Sequence, residues 1–291
     1  FVTHHKHLRE FCQGLVFIRK KGYDSTCYGE PLWLRGNNRF RPDEPDVGNA
    51  NVGRMQHSCT KRVRLFPARP FFVLPFLEVL FMKVLPQQLR LYAVTDRTWL
   101  NGRRLADVVA QAIDGGATFV QLREKCLDEH DLLAEAEELS ALCHFHHVPF
   151  VIDDNVEVAL AAGADGVHVG QSDMAAKRAR ALLGPDKILG VSAHNAAEAL
   201  AAQADGADYL GCGAAFVTGT KLDAHPVTAE IMRAVTAAGK IPVVAIGGID
   251  AANLLQLQGR GLAGVAVVSA IFAQADPCAA SRELYRLAGQ L

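Results

Sequence analysis

The hydrophobic pattern of the chain changes at about residue 89. Beyond that point, short apolar runs rich in β-branched residues alternate with stretches rich in Ala, Leu and Glu, at intervals of about 25 residues. Short apolar runs between turn residues predict strands, and the longer stretches predict helices. The predicted strands are 89–95, 119–123, 148–152, 166–169, 187–192, 208–213, 241–246 and 264–268. The predicted helices are 103–115, 129–147, 155–163, 173–183, 195–205, 227–239, 251–259 and 276–289.

Eight strand–helix units within about 200 residues predict an α/β fold of the (β/α)8 TIM-barrel type. Near-continuous apolar strands are typical of parallel sheets that are buried on both faces. An open doubly wound sheet fits less well, because no GxGxxG sequence follows the first strand. We therefore expect residues 82–291 to form one TIM-barrel catalytic domain.

Residues 1–81 show neither a helical nor a strand period. They carry a net charge of +6, whereas residues 82–291 carry −7. The apolar run 71–81 is interrupted by Pro75 and Glu78, and it is shorter than the roughly 20 residues that span a membrane. We expect 1–81 to be an unstructured extension, either a leader or the product of a mis-assigned start, with the domain beginning at Met82. A short targeting or membrane-associating segment is the alternative.

Charge and cysteine content limit the classes of binding partner and the cellular environment that the sequence favours. The acidic domain argues against nucleic acid, because a phosphate backbone requires a basic protein face. The seven cysteines contain no CxxC pair, which indicates reduced thiols in a cytoplasmic protein. We expect phosphorylated small molecules as partners, and neither nucleic acid nor membrane. A homo-oligomer is compatible with the sequence.

Two carboxylates follow neighbouring predicted strands. Asp154 ends the third strand and Asp173 lies just beyond the fourth. Parallel strands would bring both to one mouth, where carboxylates without soft partners suit Mg²⁺. The alternative is that each aspartate caps a helix.

Three polar side chains share one face of the second strand. Gln121, Arg123 and Lys125 alternate with Leu122 and Glu124, which point the other way. A basic strand face inside a barrel is costly unless it meets negative charge. A bound anion would supply that charge, and a structural ion pair with Asp154 is the alternative.

Two further segments suit phosphate. Thr218, Gly219, Thr220 and Lys221 offer hydroxyls, backbone N–H groups and one cation after the sixth strand. Gly247 and Gly248 follow the seventh strand and Ser269 follows the eighth, where TIM barrels commonly bind a phosphate monoester. Tight turns alone are the alternative for the two glycines.

The histidines do not form a catalytic arrangement with a nucleophile. His168 lies among apolar strand residues, which favours a hydrogen-bonded core histidine. His194 follows Ser192, and the sequence leaves its role open. His144, His146 and His147 lie at a predicted helix end, where they would interact with the helix dipole.

The motifs together resemble the thiamine-phosphate synthase family. The resemblance covers about residues 89–290 and is carried by LYAVTD (91–96), QLREK, DGVHVGQSD, GVSAH, TGTK, AIGGI and VVSAI. It implies a transferase that joins 4-amino-5-hydroxymethyl-2-methylpyrimidine diphosphate to hydroxyethylthiazole phosphate, giving thiamine phosphate and pyrophosphate.

The resemblance also implies the site residues by motif position. Gln121, Leu122, Arg123, Glu124, Lys125, Asp153, Ser192 and Lys221 would bind the pyrimidine diphosphate, with Arg123, Lys125, Ser192 and Lys221 as the catalytic group. Asp154 and Asp173 would bind Mg²⁺. Thr218, Gly219, Thr220, Gly248, Val268 and Ser269 would bind the thiazole phosphate.

One residue departs from the family pattern, and two other functions compete. Asp153 stands where the family has Asn, and a carboxylate there would repel a diphosphate unless it is protonated or bound by the metal. A thiazole tautomerase-like barrel would keep the thiazole-phosphate end without the metal and diphosphate end. A non-catalytic barrel that binds thiamine precursors is the second alternative.

Overall fold

Eight parallel strands close into a barrel in chain order, with β1 hydrogen-bonded to both β2 and β8. The computed structural model describes residues 82–217 and 226–291. The expectations for residues 1–81 and 218–221 therefore lie outside the described residues. The strands are β1 Leu91–Val94, β2 Phe119–Leu122, β3 Phe150–Asp153, β4 Gly166–Val169, β5 Ile188–Ser192, β6 Tyr209–Gly213, β7 Val243–Ile246 and β8 Gly264–Val267. All eight predicted strands and the barrel are confirmed.

Helices follow most of these strands and pack around the barrel. They are α1 Leu105–Asp114, α2 Glu129–Phe145, α3 Val156–Ala161, α4 Ala176–Leu183, α5 Ala196–Ala204, α6 Ala229–Ala238, α7 Ser269–Phe272 and α8 Pro277–Ala288. No helix of the described ranges is long and apolar enough to cross a membrane.

The predicted helix 251–259 is wrong for most of its length. Only a short 3-10 helix, Leu254–Leu257, forms there. The Asp250 carboxylate accepts hydrogen bonds from the backbone N–H groups of Ala252 and Asn253, and Asn253 donates its side-chain N–H to the carbonyl of Gly248. These local bonds favour a turn over a helix. The short helix α7 was not predicted.

Side-chain caps explain where several helices begin. A side-chain oxygen at the N-cap accepts a backbone N–H that would otherwise lack a partner in the first turn. The capped helices and their residues are α2 with Asp128, α3 with Asn155, α5 with Asn195, α6 with Thr228 and α8 with Asp276.

The barrel interior is filled by its own core. Tyr92, Phe119 and Tyr209 lie near the amino-terminal ends of their strands, with ring centroids 4.6 to 5.9 Å apart. A second core lies between the strands and the surrounding helices. Charged and polar residues at the carboxyl ends of the strands, Arg123, Asp154 and Ser192 among them, border a cavity. Its volume is about 730 Å³.

We predict that a chain beginning at Met82 folds independently. All eight strands lie within 82–291, and Val84 and Leu89 already belong to the interior core. The Tm from circular dichroism should stay within about 4 °C of the full-length value, the shift that about 1 kcal/mol produces in a domain of this size.

A chain beginning at Asn101 is the control for this truncation. It lacks β1, so the barrel cannot close and cooperative unfolding should be lost. An insoluble or non-cooperative protein beginning at Met82 would contradict the prediction.

Candidate active site

Lys125 joins two carboxylates at the carboxyl ends of the strands. Its Nζ lies 2.9 Å from Asp153 Oδ2 and 2.7 Å from Asp154 Oδ2. Burial alone would lower the pKa of Lys125, but the two carboxylates outweigh that effect and raise it. Arg123 Nε lies 3.8 Å from Asp153 Oδ2. The ion pair between the basic strand face and Asp154 is therefore present, and Asp153 shares the same cation.

Asp154 and Asp173 are brought together from neighbouring strands. Burial, followed by the neighbouring Asp154, raises the pKa of Asp173. Asp173 Oδ2 accepts a 2.8 Å hydrogen bond from the backbone N–H of Gly170, which aims the carboxylate back toward β4. Asp154 adopts a left-handed backbone conformation with φ of 61°.

The helix-cap alternative for these two aspartates is wrong. Asn155 caps α3, and its side chain accepts from the N–H of Val158. Helix α4 begins after Ala175, which makes no side-chain cap. Neither Asp154 nor Asp173 therefore caps a helix, and both border the cavity.

Glu124 and Leu122 point away from the cavity, as the strand alternation predicts. Their side chains therefore do not line the cavity in which the resemblance implies that they bind the pyrimidine diphosphate. Leu122 is buried in the outer core. The Glu124 side chain is 4% exposed, accepts from the backbone N–H groups of Lys125 and Cys126, and pairs with Arg97 at 2.8 Å. Burial opposes ionisation of Glu124, but Arg97 and the two N–H groups lower its pKa overall. The role of Glu124 in this structure is to hold the loop that carries Lys125.

Gln121 borders the cavity with an unpaired donor. Its side chain is buried, and its Nε2 has no hydrogen-bond partner within the described part of the chain. A buried amide N–H without a partner is costly, so this donor is suited to an acceptor on a bound ligand.

Ser192 and His168 border the cavity next to each other. Ser192 Oγ lies 3.0 Å from His168 Nε2, and His168 Nδ1 lies 3.0 Å from the Tyr209 hydroxyl. Burial lowers the pKa of His168 to about 4, against the opposing charges of Asp153 and Asp173. The prediction of a hydrogen-bonded core histidine is confirmed.

Gly247, Gly248, Val268 and Ser269 lie together at the ends of β7 and β8. Gly248 has a φ of 65°, and a Cβ there would lie 2.5 Å from the carbonyl oxygen of Val217. Only glycine allows this close approach of two backbone segments. Thr218, Gly219, Thr220 and Lys221 are outside the described residues, but Ala214 and Pro226 on either side of that segment border the cavity.

His194 and His144 each pair with a carboxylate, and the described cysteines are free thiols. His194 borders the cavity and pairs with Glu198 at 3.0 Å. His144 lies in the last turn of α2, as predicted for the histidine cluster. Of the described cysteines, Cys143 and Cys212 are buried free thiols as expected, whereas Cys126 is exposed.

Sequence reasoning missed three residues that support the site. Tyr92 and Tyr209 are buried polar groups beneath it, and Arg97 anchors Glu124 and, at 2.6 Å, Glu135. The alternation of strand residues places both tyrosines inside the barrel and so carried a usable signal. The sequence contained no signal for Arg97, because its partners are distant in sequence.

The fold and this charged mouth define a TIM-barrel enzyme with carboxylates and cations at the carboxyl ends of its strands. The family model described as thiamine monophosphate synthase matches residues 91–271. The chain belongs to this family.

Individual relatives agree with the family match. The thiamine-phosphate synthase of Ruminiclostridium cellulolyticum is 46% identical over 197 residues, which cover 68% of this chain and 94% of that protein. The thiamine-phosphate synthase of Chloroflexus aurantiacus is 50% identical over 199 residues, covering 68% and 92%. Among solved structures, the thiamine phosphate pyrophosphorylase from Pyrococcus furiosus has 37% identity and a TM-score of 0.65, covering 71% of this chain and 98% of that one.

We predict that Glu124→Ala destabilises the protein and weakens the site. The substitution leaves two backbone N–H groups and Arg97 without their acceptor. Unfolding in denaturant should show a loss of about 1 kcal/mol, the usual net contribution of a hydrogen bond, because water can reach the exposed donors that lose their acceptor.

Glu124→Gln is the matched variant, since its amide oxygen still accepts from the loop. It should retain more of the stability than Glu124→Ala. Equal stability of all three proteins would contradict the anchoring role of Glu124.

Proposed function

We propose that this chain joins the pyrimidine diphosphate to hydroxyethylthiazole phosphate, releasing pyrophosphate and forming thiamine phosphate. One observation supports this beyond the family itself. Arg123 and Lys125 follow β2, and Asp153 and Asp154 lie at the end of β3. Gly248 and Ser269 follow β7 and β8. In a closed ring of eight strands β3 and β7 lie opposite each other. Two phosphorylated substrates would thus enter one cavity from opposite rims.

The diphosphate is assigned to the rim formed by β2 to β5. Arg123 and Lys125 supply positive charge there, and Ser192 supplies a hydroxyl. Arg123 and Lys125 would stabilise the charge that develops on pyrophosphate as the C–O bond breaks. Asp153 holds Lys125 at 2.9 Å, so its carboxylate is compensated by a cation, and its proposed role is to align that lysine.

Mg²⁺ fits the pair Asp154 and Asp173. Burial and the neighbouring Asp154 raise the pKa of Asp173, so a bound cation would favour its ionised form, and Lys125 supplies part of that positive charge. Among the described residues no Cys or His forms a ligand group with these two aspartates, and oxygen ligands alone suit this hard cation. Bound Mg²⁺ would neutralise charge on the diphosphate.

The thiazole phosphate is assigned to the opposite rim. Gly248, Val268 and Ser269 border the cavity there. Thr218, Gly219 and Thr220 are assigned to the same phosphate through the family pattern.

The two reacting rings would meet between the rims. Gln121 offers its unpaired amide N–H to the pyrimidine. The electron-rich aminopyrimidine can stabilise the methylene cation that remains when pyrophosphate leaves, and the thiazole nitrogen then attacks that carbon. No protein nucleophile is required by this sequence of steps.

The direct test is incubation with both substrates and Mg²⁺, followed by chromatographic detection of thiamine phosphate and pyrophosphate. Product should form only when both substrates are present. A thiazole tautomerase or a non-catalytic precursor-binding barrel would form none, and that result would contradict the proposal.

We predict that Asp154→Ala and Asp173→Ala each remove Mg²⁺-dependent turnover without unfolding the barrel. Mg²⁺ affinity measured by calorimetry should fall by about 100-fold or more. Loss of a residue that only supports a metal ligand already costs about 10- to 100-fold. Asp186→Ala, at an exposed position, is the control and should change neither quantity. Unchanged Mg²⁺ dependence in both site variants would contradict the metal assignment.

We predict that Lys221→Ala lowers kcat more than it weakens substrate binding. Negative charge accumulates on the leaving pyrophosphate, so the lysine matters most in the transition state. The kcat should fall by about 10²-fold or more, as when one preorganised donor is lost.

The KM for the thiazole phosphate should barely change in Lys221→Ala, because the resemblance assigns this lysine to the pyrimidine diphosphate. Lys177→Ala, on the exposed face of α4, is the control. A normal kcat with a much higher KM for the thiazole phosphate would mean that the two phosphate sites are interchanged.

A further inference from the structure

Four side chains form a continuous hydrogen-bonded series from the lower barrel core to the cavity. The Tyr92 and Tyr209 hydroxyls are 2.8 Å apart, and the Tyr209 hydroxyl lies 3.0 Å from His168 Nδ1. His168 Nε2 lies 3.0 Å from Ser192 Oγ. The series passes from β1 to β6, β4 and β5. Only its last member, Ser192, is among the residues assigned to a substrate.

Glycines on the neighbouring strands leave space for the Tyr209 and His168 rings. A Cβ on Gly190 would overlap Tyr209 Cζ and lie 2.5 Å from His168 Nδ1. A Cβ on Gly211 would lie 3.2 Å from His168 Cε1. Any other residue at 190 would displace both rings, so the packing of the strands fixes where His168 and Tyr209 lie.

The direction of the hydrogen bonds follows from the buried end of the series. Tyr92 is 2% exposed. Among the described residues, the Tyr92 hydroxyl forms its hydrogen bond with the Tyr209 hydroxyl. If Tyr209 donated to Tyr92, the Tyr92 proton would have no protein acceptor among the described residues, and a buried donor without an acceptor is costly. Tyr92 therefore donates to Tyr209.

The same matching of donors to acceptors determines the position of the remaining protons. The Tyr209 hydroxyl, having accepted from Tyr92, donates its single proton to His168 Nδ1. A neutral imidazole that accepts at Nδ1 carries its proton on Nε2, so His168 donates to Ser192 Oγ. The Ser192 hydroxyl then accepts from within the protein, and its own proton is left for the cavity that it borders.

We propose that His168 is a positioning residue that acts through Ser192. The series Tyr92–Tyr209–His168 holds the Nε2–H tautomer and keeps the Ser192 hydroxyl as a hydrogen-bond donor to an anionic oxygen of the substrate. The identity of that oxygen, on the diphosphate, rests on the proposed function, whereas the order of the protons does not.

The first test measures the order of protons in the unsubstituted full-length protein without substrates. Its histidines, eleven in the sequence, are labelled with ¹⁵N and their ring nitrogens are observed by NMR. The His168 signals are assigned by their loss in His168→Gln. Protonated Nε2 with unprotonated Nδ1 at neutral pH is the expected result. The opposite tautomer, or a charged ring, would overturn the proposal whether or not the protein is a synthase.

The second test compares two amide substitutions. The glutamine side chain of H168Q reaches far enough to donate an N–H to Ser192, whereas the shorter amide of H168N reaches only the Tyr209 side. We expect H168Q to retain most of the kcat, and H168N to lose roughly 10- to 100-fold, the value of one hydrogen bond to a charged group. The KM for the thiazole phosphate should stay the same in both. His144→Gln, at the end of α2, is the matched control outside the cavity.

A double-mutant cycle separates positioning from general damage to the fold. If His168 acts only through Ser192, His168→Asn should cost no further activity in a Ser192→Ala background. Additive losses, or equal losses in the Gln and Asn variants, would overturn the proposal. Thermal unfolding of each variant shows whether a loss of activity reflects unfolding, and in that event the NMR result on the unsubstituted protein decides.

Discussion

The register of the closed barrel is the constraint on which the site depends. β1 pairs on one side with β2 and on the other with β8, and each pairing fixes which side chains of these strands face inward. Tyr92, Gln121 and Ser192 all lie on inward-facing positions of their strands. A shift of one residue in any strand would turn its inward set toward the helices. The apolar outer faces prevent that shift, because they are buried under α1 to α8.

Charge at the mouth is arranged so that few groups are left without a partner. Lys125 lies between Asp153 and Asp154, and Arg97 lies between Glu124 and Glu135. The Lys125 group borders the cavity. The Arg97 group lies outside it and holds the loop that joins Glu124 to Lys125. The loop therefore connects an ion pair that is available to ligands with one that is structural. Breaking the outer pair would disturb the inner one without touching any substrate.

The fold was predictable because its signal is local and repeated. Each apolar run marked one strand, and all eight were placed correctly. The helix predicted at 251–259 failed because composition does not show that Asp250 and Asn253 bind the neighbouring backbone. The spacing of Gln121, Arg123 and Lys125 predicted a shared inward face. It could not show that Arg97, distant in sequence, would hold Glu124, nor that two tyrosines would meet beneath His168.

The buried amide of Gln121 has a consequence for selectivity. The folded protein already carries the cost of removing this N–H from water, so a ligand with a matching acceptor relieves a penalty that was incurred before it arrived. A ring of the same shape without the acceptor would leave the N–H unsatisfied and gain only its apolar contacts. Discrimination of this kind is asymmetric, since a missing polar atom is rejected far more strongly than a missing methyl group. If Gln121 binds the pyrimidine as proposed, the cavity would select a ring by its hydrogen-bond acceptor as well as by its size.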